Sequence, residues 1–182
     1  MNILNELKSR FEVAEPIFDY EIYDLGYTDS DIIDTLESNV FEELSRVDFI
    51  PCRIFYLVGY SDIFNLYERL DNTSTSIIFK YFVGNDFEYG YLDGFCSLNR
   101  LKLSNQVCFS YTIKSCRAKK EFEFSQVKIL PESNNIDYKL TMCVNAFNNY
   151  RDAFDCSLDS AIVSIKSFLN VEQFDKFRKE IL

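Results

Sequence analysis

With 182 residues, 47% of them apolar, the chain is of single-domain size and can bury a core without disulfides. Its 18 Phe and 12 Tyr place it outside the disordered class despite a formal net charge of −10. There is no histidine, which removes imidazole bases, the common hydrolase triads and most zinc sites, and the five glycines form neither a P-loop nor a GxGxxG turn.

Glu6, Lys8, Arg10, Glu12 and Glu15 interrupt the N-terminus, so no signal-peptide core is expected. No later run approaches the roughly 20 apolar residues that span a bilayer. The expected location is cytoplasmic. The six cysteines, at 52, 96, 108, 116, 143 and 156, have no CxxC spacing, and the expectation is reduced, mostly buried thiols with no metal and no cofactor.

In chain order, Asn2 can cap a helix in which Ile3, Leu4, Leu7 and Phe11 share a face and which Pro16 stops. Residues 17–24 alternate as a strand, and Gly26 marks a turn. Thr28 or Ser30 caps a helix expected over 29–46, with Ile32, Ile33, Leu36, Val40, Phe41 and Leu44 as its apolar stripe. After Pro51, CRIFYLVGY reads as a buried strand, Ser61 opens a short helix through Leu70, and 71–76 form a polar linker. From Ile77 to Cys156 six segments read as strands of an antiparallel meander: SIIFKYFV, FEYGYLDGFCSL, QVCFSYTIKSC, EFEFSQVKIL, DYKLTMCVNAF and YRDAFDC. Ser157 caps a helix carrying Ala161, Ile165 and Phe168, and Asn170 with Gln173 forms a capping box for the last one. The expected fold is α+β: one domain, 1–182, with an acidic helix-rich segment at 1–48, a mainly sheet segment at 49–156, and helices at 157–182, the terminal helices packing against the sheet.

Charge is segregated along the chain. Residues 1–48 hold 13 acids and 3 bases, whereas the other 134 residues hold 16 of each. Between Phe11 and Ser45 there are 11 carboxylates and no Lys or Arg. On a helix, Asp31, Asp34 and Glu42 would lie opposite the apolar stripe over about 16 Å. A solvated face with acids at a helix N-terminus is one reading. A folded carboxylate row that imitates nucleic-acid phosphate for a basic partner is the other, with Asp19, Glu21, Asp24, Asp29, Asp31, Asp34, Glu37 and Glu42 as its contacts. A second, basic cluster of Lys114, Arg117, Lys119 and Lys120 fits either a charged sheet turn or contact with RNA.

Carboxylate chemistry is what the missing histidine leaves. Asp137 and Lys139 have the Asp-x-Lys spacing that would put both on one face of a strand, as metal-dependent nucleases need, and an ordinary cross-strand ion pair fits the same spacing.

A short chain with a one-signed acidic segment, many aromatics and no catalytic motif resembles, in general character, the type II anti-CRISPR proteins of mobile genetic elements, which disable Cas9. The resemblance implies a protein that binds a Cas9-type ribonucleoprotein, by occupying its nucleic-acid channel, blocking guide-RNA loading or leading to guide-RNA truncation. The other readings are a nuclease built on Asp137 and Lys139, and an antitoxin or immunity protein covering a basic toxin.

Overall fold

The computed structural model describes residues 3–38, 40–44, 49–58, 76–124 and 126–182. It is a mixed α+β chain with helices at both ends, and it divides into two compact units, residues 1–78 and 79–182.

The first unit is built on helix α1 (Ile3–Arg10), strand β1 (Ile17–Phe18), helices α2 (Asp19–Asp24) and α3 (Asp29–Leu36), and strands β2 (Phe41–Leu44) and β3 (Ile54–Leu57). Its sheet has the order β1-β3-β2, antiparallel throughout, with Ile17 opposite Phe55 and Phe41 opposite Leu57. All four β3 residues are buried, as expected of a central strand rich in aromatic and β-branched side chains. Ile3, Leu7, Ile17, Ile22, Ile32, Phe41, Phe55 and Leu57 form one core, in which the Phe41 and Phe55 rings stack with centroids 5.2 Å apart.

The helix expected over 29–46 stops at Leu36, and Phe41–Leu44 pairs with β3 instead. Ile33 consequently leaves the apolar stripe and is 56% exposed, while Glu42 sits on a strand rather than on the helix. Likewise the strand expected over 17–24 keeps only two residues. Glu21 accepts a hydrogen bond from the Phe18 backbone N–H, closing a capping arrangement that starts α2 at Asp19. The helix expected over 61–70 lies outside the described residues, as does the expected linker up to residue 75.

The second unit contains strands β4 (Gly90–Asp93), β5 (Tyr111–Ser115), β6 (Phe122–Phe124) and β7 (Val127–Pro131). Its helices are α4 (residues 76–82, of which 79–82 lie in this unit), α5 (Phe95–Arg100), α6 (Tyr138–Asn149), α7 (Leu158–Phe168) and α8 (Val171–Ile181). The sheet order is β4-β5-β7-β6, and the meander is interrupted because β5 and β7 pair in parallel. Two of the expected strands are helical: SIIFKYFV is helix up to Phe82, and DYKLTMCVNAF is the N-cap Asp137 followed by α6, while FEYGYLDGFCSL keeps the strand β4 and turns helical only at FCSL in α5. In α6 the buried residues Tyr138, Met142 and Ala146 recur every four positions, a helical period. YRDAFDC holds a 3₁₀ turn, Arg151–Ala153, in place of a strand.

Helix α6 packs on β4 and α8. Phe177 is fully buried, with its ring edge-on to Phe147 at 5.5 Å. Gly90 admits no side chain, because a Cβ there would lie 2.3 Å from the Lys114 carbonyl oxygen and 2.6 Å from that of Phe82. The two capping residues expected at the C-terminus are in place: Ser157 accepts from the Ser160 N–H, and Asn170 and Gln173 cap α8 reciprocally. Among the described residues no helix is long and apolar enough to cross a membrane.

Candidate functional site

The acidic residues singled out in the sequence all fall in the first unit, where the structure separates them into two groups. The first group is engaged in local structure. Asp19 accepts from the N–H groups of Tyr20 and Arg53 at 2.7 and 3.1 Å, and Glu21 caps α2. Asp31 accepts from the Thr28 hydroxyl and N–H at 2.7 and 2.8 Å, which holds its carboxyl below the usual carboxylate range. Glu42 faces Tyr56 across the β2–β3 ladder and accepts its hydroxyl at 2.5 Å. Burial, assisted by that bond, pushes the Tyr56 phenol up to about 12. Asp29 accepts from the Tyr23 hydroxyl at 2.8 Å.

The second group is Asp24, Asp34 and Glu37, which are exposed and have no ion pair or side-chain hydrogen bond among the described residues. On α3 the spacing of four residues puts Asp29, Ile33 and Glu37 in one outward line, with Ser30 and Asp34 beside it. An exposed isoleucine is thus bordered by carboxylates.

The base missing from residues 11–45 arrives from the residue just before β3. Arg53 grips Glu43 through Nε and Nη2 at 2.9 and 2.8 Å and reaches Asp29 at 3.4 Å. The bidentate bond lowers the Glu43 carboxyl below its ordinary range and raises the guanidinium. Sequence reading passed over Arg53 because its position lies outside the acidic run. Only the β2–β3 pairing, which places Glu43 opposite Phe55, brings it near.

In the second unit, the basic cluster is also divided. Lys114 pairs with Asp93 across the β4–β5 ladder at 2.9 Å. Arg117 lies 3.4 Å above the Tyr89 ring centroid and 4.7 Å from that of Tyr81, and it donates to the Tyr81 carbonyl at 2.9 Å. Lys119 and Lys120 are exposed, and among the described residues neither joins an ion pair. Of the four, these two remain free to meet an anion.

Asp137 and Lys139 are not side by side on a strand. They open α6, with Asp137 as N-cap accepting from the Leu140 N–H at 3.0 Å. They border a polar cleft of about 340 Å³ together with Asp86, Glu88, Asn170 and Gln173. Both carboxylate oxygens of Asp137 accept from Gln173 Nε2 at 3.0 Å, and Lys139 is bound to Asp86 at 2.6 Å. Phe87, with φ of 65° in the left-handed region, is held edge-on against Phe168 at 5.5 Å and separates Asp86 from Glu88. The pair therefore caps and cross-links helices. Among the described residues no group of three His, Cys, Asp or Glu is placed to hold a metal ion.

All six cysteines are free thiols. Only Cys96 and Cys143 are buried, and the other four are partly exposed, fewer buried than the composition had suggested. The reason is local: Cys108 lies in an irregular loop, and Cys52, Cys116 and Cys156 lie just outside regular elements. No family model, no curated protein and no solved structure matches the chain.

Proposed function

We propose that this chain is an anti-defence binding protein whose acidic first unit docks on the basic, nucleic-acid-binding surface of a Cas9-type ribonucleoprotein in the cytoplasm of a bacterial host. One observation carries the reading. The first unit holds 16 acids against 5 bases, and among the described residues Asp19, Asp31 and Glu42 accept from neutral donors, namely tyrosine and threonine hydroxyls and backbone N–H groups, while Glu6 and Asp29 add a tyrosine hydroxyl to an arginine. A neutral donor meets the hydrogen-bonding need of a carboxylate and leaves its charge in place, so the unit keeps a field of one sign that attracts a basic surface. Asp24, Asp34 and Glu37 are the contacts best placed to be exchanged for phosphate positions, with Ile33 as the apolar centre of the patch.

The nuclease alternative receives less support, since Asp137 and Lys139 are occupied in capping α6 and in the Asp86 ion pair. The antitoxin alternative uses the same acidic face and differs only in the identity of the basic partner.

The test is equilibrium binding of the purified full chain to a Cas9-type ribonucleoprotein at several salt concentrations. Association should weaken steeply with salt, and the D24N/D34N/E37Q variant should bind at least tenfold more weakly at low salt. Equal affinity of variant and parent sinks the acidic-face reading. Degradation of free RNA by the isolated protein with magnesium, lost in Asp137→Asn, would instead establish the nuclease.

A further inference from the structure

We propose that Cys108 and Cys96 form a thiol–disulfide modification site, in which oxidation by a low-molecular-weight disulfide clamps the loop at 105–110 onto α5. The inference is independent of the partner-binding reading.

The geometry begins with that loop. Asp155 ties down its start, accepting from the Ser104 hydroxyl and the Asn105 N–H at 2.8 Å each. Beyond that point no strand or helix holds it until β5 begins at Tyr111. The Gln106 N–H donates to the Ser104 hydroxyl at 3.3 Å, and two α5 residues supply further side-chain attachments. Asn99 Nδ2 donates to the Gln106 carbonyl at 2.5 Å and to Cys108 Sγ at 3.4 Å, and the Cys96 thiol donates to the Ser110 carbonyl at 3.0 Å. The Cys96 and Cys108 sulfurs thus face one seam between α5 and the loop, against the Ser110 carbonyl and Asn99 Nδ2 in turn. Two thiols therefore line the underside of a loop whose outer residues, Val107 and Phe109, are 74% and 79% exposed. Asn99 Oδ1 is buried with no hydrogen-bond partner among the described residues, so the attachment is incomplete in the reduced form.

The two sulfurs divide the labour by exposure. Cys108 is partly exposed and can be reached by a small disulfide. Its thiolate attacks one sulfur of that molecule, the S–S bond breaks, and one small thiol departs as a thiolate that takes up a proton. Cys96, buried and with its thiol pushed up to about 12 by that burial, does not react first. After losing its proton it attacks Cys108 Sγ in the mixed disulfide and expels the second small thiol. Two protein thiols are oxidised to one disulfide, one small disulfide is reduced to two thiols, and the two protein protons end on the leaving thiols. The remaining cysteines are placed differently: Cys143 is fully buried in α6, and Cys156 faces the Leu103 carbonyl at 3.9 Å.

The experiment equilibrates the full chain with oxidised glutathione, traps free thiols by alkylation, denatures the protein and counts and maps them by peptide mass spectrometry. The expected result is loss of two of six thiols, one peptide pair joined through Cys96 and Cys108, and slower amide exchange over 105–110 than in the reduced protein. Cys108→Ser should abolish both the cross-link and the slowing of exchange, while retaining the parent's circular dichroism. Mapping on the unsubstituted chain decides the matter even if a variant folds poorly. Six thiols remaining, a stable glutathione adduct on Cys108 with Cys96 free, or a cross-link through other cysteines each overturns the proposal. A Cys96–Cys108 bond with unchanged exchange over 105–110 overturns the clamp.

Discussion

The two units solve the problem of charge in opposite ways. The second holds 13 acids and 14 bases and engages its cations with carboxylates and rings: Lys114 with Asp93, Lys139 with Asp86 and, at 5.3 Å, the Phe168 ring, Arg117 with Tyr81 and Tyr89. The first, among its described residues, engages carboxylates with uncharged donors as well as with Arg10, which pairs with Glu6, and Arg53, which pairs with Glu43 and Asp29. Tyr27 donates to Glu6, Tyr23 to Asp29, Tyr56 to Glu42 and Thr28 to Asp31. Tyr23, Tyr27 and Tyr56 thus have a use beyond packing, because a phenol can orient a carboxylate without neutralising it. Fixed but un-neutralised acids make a directed electrostatic surface, whereas paired ones make a scaffold.

The largest effects should separate the units through their cores. Phe177→Ala removes a fully buried ring from the second unit and Phe41→Ala one from the first, each expected to cost about 3–5 kcal/mol, read by denaturant unfolding. Hydrogen exchange should assign each loss to its own unit. Next, Gly90→Ala forces a methyl against two carbonyl oxygens and should cost about 1–3 kcal/mol, whereas Gly26→Ala, with open space around it but φ of 88°, should cost less. A harmless Gly90→Ala would show that β4 and the helix at 76–82 are not held as tightly as described.

Arg53→Met tests the cation that grips Glu43 and reaches Asp29. The pair is partly exposed, so the expected loss is only about 1 kcal/mol, together with higher affinity for a cationic probe. Acid should sharpen the same contrast. The folded-state carboxyls of Glu6, Asp31 and Glu43 are depressed, by Tyr27, by Thr28 and by Arg53 in turn. Their contributions are complete above the usual carboxylate values of 3.8 to 4.5 and are lost as pH falls through the lower folded-state values. The first unit should therefore lose stability below that range, measured by circular dichroism melts. The smallest effect belongs to D24N/D34N/E37Q, which should leave the melting temperature nearly unchanged, since these exposed side chains have no ion pair or side-chain hydrogen bond among the described residues.

Helix ends with polar caps were legible in the sequence, because Thr28, Ser157 and Asn170 act within three residues of themselves. So was β3, whose apolar run is short and follows a proline. The confusion of strand with helix between residues 77 and 147 has a physical source. A run such as IIFKYFV is apolar enough to satisfy either period, and the choice falls to tertiary packing. In α6 the deciding signal was present but local, an aspartate three residues before the N–H it caps. The acidic surface was legible as composition. Which acids stay free was not, because Tyr27 and Glu6, or Arg53 and Asp29, meet only after folding.

The parallel pairing of β5 with β7 bears on how the second unit assembles. Parallel neighbours ordinarily require a long crossover, and the closing of that loop slows their formation. Here the whole path from Tyr111 to Pro131 spans 21 residues, with β6 folded back antiparallel on the far side of β7. The β6–β7 hairpin closes over a few residues and then needs one short loop to bring β7 against β5, so the entropy of closure is small at both steps. The sheet thereby gains a parallel pair at the kinetic cost of a local one.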